Sequence, residues 1–140
     1  MSNPARNSFK ANPMRASRLI LGTVFMAAGL LHFLRPKPYE QMMPDWIPLH
    51  REAVLASGVA EAAGGAALLF DRTARPGCWW LIATLLAVFP ANVQMAVDPD
   101  GIPWVSKMNL PGALFWARLP LQAVLIAVLL VVTRRSLERD

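Results

Sequence analysis

Four stretches of this chain, 19–34, 53–70, 77–97 and 112–133, run for sixteen to twenty-two residues each, and between them they hold only two formal charges, Glu61 and Arg118. A helix of about 20 apolar residues matches the roughly 30 Å hydrocarbon core of a bilayer. Backbone amides inside that core have no water to bond, so each segment must satisfy its own N–H and C=O groups as a helix. The sequence therefore predicts an all-α membrane four-helix bundle. Composition agrees, because 55% hydrophobic and 16% charged residues leave too little polar surface for a water-soluble domain of 140 residues. Cys78 is the one cysteine, which excludes an internal disulfide and dithiol chemistry.

The connecting segments are polar and rich in proline. Residues 1–18, with Pro4, Pro13 and four basic side chains, read as a mobile basic tail. The first apolar segment ends in His32-Phe33-Leu34-Arg35-Pro36, with no small-residue cleavage site, so it is expected to stay as an anchor. Pro36, Pro38, Pro44 and Pro48 rule out a long helix over 35–52, which reads as an interfacial loop. A short turn covers 71–76, a second loop follows from Asp98 to Pro111, and 134–140 forms a basic end. The tail, the short turn and the C-terminal end carry nine Lys and Arg, against four in the two longer loops. Positive residues stay inside, so both termini are expected in the cytoplasm. The net charge of +5 is spent at membrane borders and does not point to nucleic acid.

Polar groups within the spans carry the functional information, because hydrocarbon makes them costly. They are His32, Glu61, Asn92, Gln94, Arg118 and Gln122. Helical rise puts Glu61 about 12 Å and Arg118 about 9 Å from the same end of their spans. As the one acid and the one base inside the spans they are expected to pair, with Gln122 one turn beyond Arg118. Pro90 and Pro120 should free the carbonyls of Leu86 and Trp116 and open space beside this seam. Gly58, Gly64 and Gly65 allow close helix approach, and five tryptophans fit interfacial belts. His32, His50, Met42, Met43, Met95 and Met108 match no metal-site spacing, so no metal is expected.

The order Ala28-Gly29-Leu30-Leu31-His32-Phe33, Gly58-Val59-Ala60-Glu61, Phe89-Pro90-Ala91-Asn92, Arg118-Leu119-Pro120-Leu121-Gln122 resembles the DoxX-like membrane proteins over about 100 residues. The resemblance implies a four-helix protein of the bacterial inner membrane, in a group linked to oxidative metabolism and thiol stress, and it implies no catalytic residues. The matching positions His32, Glu61, Asn92, Arg118 and Gln122 are the ones the cost of burial also selects.

Three functions stay open. First is a non-catalytic accessory or assembly protein that engages a membrane redox complex or a second copy of itself, since no nucleophile, metal site or phosphate loop is recognisable. Next is an enzyme or redox partner that uses a quinone or another lipid, with Glu61 and His32 handling protons. Last is a small proton-coupled carrier.

Overall fold

The computed structural model describes residues 13–137, and every regular element among them is helical. In chain order these are α1 (Pro13–Leu34), α2 (Pro36–Glu40), α3 (His50–Leu68), α4 (Ala74–Val97), α5 (Pro103–Ser106), α6 (Gly112–Trp116) and α7 (Arg118–Leu137). Three of the helical segments, Pro13–Leu34, Ala74–Val97 and the joined Gly112–Arg134, are long and apolar enough to cross a membrane. The remaining long helix, α3, falls outside that set: Arg51 and Glu52 stand in its first turn, Glu61 in its middle, and much of its length is alanine and glycine.

Helix ends follow the prolines and charges. The first helix starts at Pro13, inside the segment expected to be a mobile tail. Its extra turn carries Arg18 to an ion pair with Asp71, in the turn between α3 and α4. Pro36 and Pro38 fall in the first turn of α2, where a missing N–H costs nothing. The fourth apolar segment breaks at Ala117, because Pro120 supplies no N–H for the Trp116 carbonyl and its ring crowds that oxygen. The other internal proline, Pro90, leaves α4 continuous.

Packing runs in a row, α1 on α3, α3 on α4 and α4 on α7. The α1–α3 contact is the closest, and glycine is the reason. A Cβ on Gly29 would come within 2.5 Å of the Gly58 carbonyl oxygen, and one on Gly22 within 2.7 Å of the Gly65 carbonyl oxygen. Both pairs lie seven residues apart on each helix, so the same backbone contact repeats two turns along an antiparallel pair. On its other side α3 uses Gly64 to admit Leu81 of α4, and Trp80 Nε1 donates to the Ala60 carbonyl at 2.9 Å.

Phe25, Leu68, Leu81 and Leu129 bring all four long helices to one core, so the row is curved. Its two outer members, α1 and α7, do not close on each other as a regular four-helix bundle would; an apolar groove of about 260 Å³ lies between them. Outward faces are strongly apolar, with Ile20 64%, Leu86 59% and Val124 56% exposed, as helices surrounded by acyl chains require. A second, smaller core made by Met42, Met95, Ile102, Val105 and Phe115 caps the end that bears the two long loops.

Candidate functional site at the loop end

His32 and Glu61 meet because each follows a glycine by one turn. The missing side chain of Gly58 is the space His32 enters: a Cβ there would lie 2.7 Å from His32 Cβ. Side chains lean toward the N-terminus of their own helix. On antiparallel helices, His32 of α1 and Glu61 of α3 therefore lean toward each other. Their closest atoms, Nδ1 and Oε2, are 4.0 Å apart, and both side chains are about nine-tenths buried. His32 Nδ1 also contacts the Ala28 carbonyl at 2.9 Å, the geometry of an N–H donor; in a neutral ring this leaves Nε2 as the lone-pair nitrogen.

Tyr39 is the member that sequence reasoning missed, because it belongs to the first loop and not to a span. Helix α2 folds that loop back over the bundle and lays the phenol on the His32 imidazole, ring centres 3.9 Å apart and planes 21° from parallel. The available signal was the pair of prolines around Lys37, which restart a helix directly after α1. Trp104 Nε1 donates to the Pro38 carbonyl at 3.0 Å, so the second loop ties down the first. Burial pushes the Tyr39 phenol above its ordinary pKa of 10.0, the Glu61 carboxylate adds to the rise, and the Arg118 guanidinium opposes it. Tyr39 thus stands within electrostatic reach of both charges.

The expected Glu61–Arg118 pair does not form among the described residues. The nearest ionisable partner of Glu61 among the described residues is the His32 imidazole. Arg118 starts α7 as an exposed residue, at the break that Pro120 imposes. Counting charges misled here, because the close ionisable neighbour of Glu61 is an imidazole and not the guanidinium.

Asn92 and Gln122 form a separate clasp between α4 and α7. Asn92 Nδ2 donates to Gln122 Oε1 at 2.6 Å, and Gln122 Nε2 donates to the Leu85 carbonyl at 2.5 Å. The carbonyl taken up is Leu85, one residue before the Leu86 that Pro90 was expected to free. Among the described residues no hydrogen bond or ion pair links this clasp to the His32 cluster. Gln94 is partly buried on the same turn of α4.

Several polar groups around His32 make no hydrogen bond within the described residues of the protein. Among the described residues, neither oxygen of Glu61 accepts a hydrogen bond, and Tyr39 Oη and the Arg118 guanidinium make none. Glu40, next to Tyr39 in α2, buries Oε1 without a donor. No three His, Cys, Asp or Glu side chains among the described residues gather as metal ligands. Met42 and Met95 belong to the apolar cap, and His50 Nε2 is 3.2 Å from the Pro44 carbonyl.

A family model described as a domain of unknown function, DUF8561, matches residues 21–133. The chain belongs to this family. The matched region of this DUF8561 member holds every residue of the cluster and of the amide clasp, and it leaves out Arg15 and Arg18 at the start of α1. No curated protein and no solved structure matches the chain.

Proposed function

We propose that the chain is a multi-pass protein of a bacterial inner membrane, with four spans and both termini in the cytoplasm, that binds a quinone-like lipophilic molecule beneath its loop cap. The observation that carries this is the Glu61 carboxylate, nine-tenths buried with its nearest ionisable neighbour, the His32 imidazole, 4.0 Å away and no hydrogen-bond donor among the described residues. Burying a carboxylate costs several kcal/mol unless donors meet it, so a group kept only to hold the bundle in register would be bonded. A quinone or quinol head fits the unused set. Arg118 and Tyr39 Oη donate to a carbonyl, while Glu61 and the His32 nitrogen that faces away from Ala28 accept from a hydroxyl. The break at Ala117 stands beside Arg118.

The orientation rests on the nine-to-four asymmetry of basic residues, and α3 serves as the fourth span because α1 and α4 shield it on both sides. The resemblance to DoxX-like proteins supports the redox setting.

An accessory or assembly role in a redox complex is the second reading. It is favoured by Trp46 and Leu49, 73% and 70% exposed on the loop that caps the site, with Leu49 held at φ 55°, a conformation a leucine seldom takes.

Solvent extraction of the protein purified from its native membranes tests the first reading. A quinone-like lipophile should co-purify in near-stoichiometric amount and be lost in Tyr39→Phe and Glu61→Gln while both variants still fold and insert into the membrane. A preparation free of such a molecule, yet bound to a stable partner protein, transfers the case to the accessory role. Reporter fusions after Asp140 and within 98–111 test the topology; an outside signal at Asp140 overturns it.

A further inference from the structure

Among the described residues Glu61 has one close ionisable neighbour and no hydrogen-bond donor. That neighbour, the His32 imidazole, is 4.0 Å from Oε2, and its Nδ1 is already engaged with the Ala28 carbonyl at 2.9 Å. The elements packed around α3 add little charge. On α1, Arg35 is exposed; on α2, the Tyr39 phenol responds to Glu61 and to Arg118, with Lys37 exposed and Glu40 half-buried beside it. Helix α4 has no ionisable side chain from Trp79 to Val97, and Trp80 Nε1 is spent on the Ala60 carbonyl. Arg51 and Glu52 of α3 itself are exposed and stand about two and a half turns from Glu61. A carboxyl in this setting meets a ligand oxygen in one of two ways. Ionised, it only accepts, and a carbonyl set against it is repelled; protonated, it donates one hydrogen bond. With an imidazole so close, the two groups titrate as a pair and not singly.

Resting on the reading that the site holds a quinone-like head, we infer that Glu61 is the residue that tells its oxidised form from its reduced form, through one proton held by the His32–Glu61 pair. The ligand oxygen at the Tyr39 and Arg118 end accepts hydrogen bonds in both forms, so that end does not discriminate. At the Glu61 end a quinol hydroxyl donates to the carboxylate, whereas a quinone carbonyl needs the carboxyl protonated. A pair that has lost its proton must therefore take one from water to bind the quinone, and takes none to bind the quinol. No electron moves in either step.

Equilibrium binding of a short-chain benzoquinone and, without oxygen, of its hydroquinone to the full chain in lipid nanodiscs tests it between about pH 5 and pH 8, where a histidine-containing pair titrates. The quinone Kd should rise by up to about tenfold per pH unit, the limit for one linked proton, while the quinol Kd stays level or falls. Glu61→Gln, whose amide both donates and accepts, should bind both forms more weakly and lose the quinone slope. His32→Phe should move the pH at which the slope sets in, because the carboxyl then titrates alone. A wild-type quinone affinity that ignores pH, or a slope that survives in Glu61→Gln, overturns the inference and leaves the quinone site standing. Binding of neither form at any pH overturns the quinone site and the inference with it.

Discussion

The imidazole of His32 lies against the phenol of Tyr39, ring centres 3.9 Å apart, although one residue ends a long helix and the other belongs to a five-residue helix after it. This stack joins the loop cap to the helix core. It places a neutral, titratable hydroxyl where Glu61 and Arg118 both act on it.

Tyr39 can be followed alone, because it is the only tyrosine in the chain. Its phenolate absorbance should appear at a pH above the ordinary 10.0. Glu61→Gln should bring the midpoint down and Arg118→Leu should push it up. The fold favours the neutral phenol, so this contribution to stability is complete below the unfolded value and is lost as pH climbs through the raised one. A midpoint at or below the ordinary value, or one indifferent to both substitutions, contradicts the cluster.

Thermal unfolding in detergent of His32→Phe, Glu61→Gln and their double variant measures the contact at 4.0 Å. A coupling of about 1 kcal/mol is expected, within the span seen for neighbouring residues. The matching cycle for Glu61 and Arg118 should give a smaller value. If that order is reversed, the acid and the base do pair directly.

Gly29→Ala sets a Cβ 2.5 Å from the Gly58 carbonyl oxygen and 2.7 Å from the Ala62 nitrogen, both of them backbone atoms that cannot turn aside. The helices must part, at a cost of about 1–3 kcal/mol. Gly112→Ala is the control: nothing lies within 4 Å of the added atom, and stability should hardly change. Equal effects at the two positions would refute the close α1–α3 packing.

Gln122→Leu removes two hydrogen bonds at once and takes the acceptor from Asn92 Nδ2, so melting in detergent should show a loss of about 1–2 kcal/mol, the upper range for interhelical hydrogen bonds in membranes. Asn92→Leu leaves the bond to Leu85 intact and should cost less. Neither change should alter the Tyr39 titration, since among the described residues no hydrogen bond or ion pair links the clasp to the cluster; a shift in it would join them.

Helical class, the apolar segments and the points where prolines interrupt them are all legible in the chain itself, because they depend on hydropathy and local backbone chemistry, which act over a few residues. So is the set of polar positions worth examining, since hydrocarbon penalises each of them wherever its partner stands. The glycines of the α1–α3 contact could be suspected from composition, but not the register that sets Gly22 against Gly65 and Gly29 against Gly58. Only the tertiary structure decided who meets whom. Helix rotation and crossing turn Glu61 toward His32, Pro120 leaves Arg118 at a helix break, and α2 folds Tyr39 over the imidazole from a loop that hydropathy reads as mere connection. The physical reason is that lipid is as apolar as the outer face of a helix, so hydrophobicity fixes how deep a residue sits but leaves open which neighbour it faces. Close backbone packing and the few available hydrogen-bond partners make that choice.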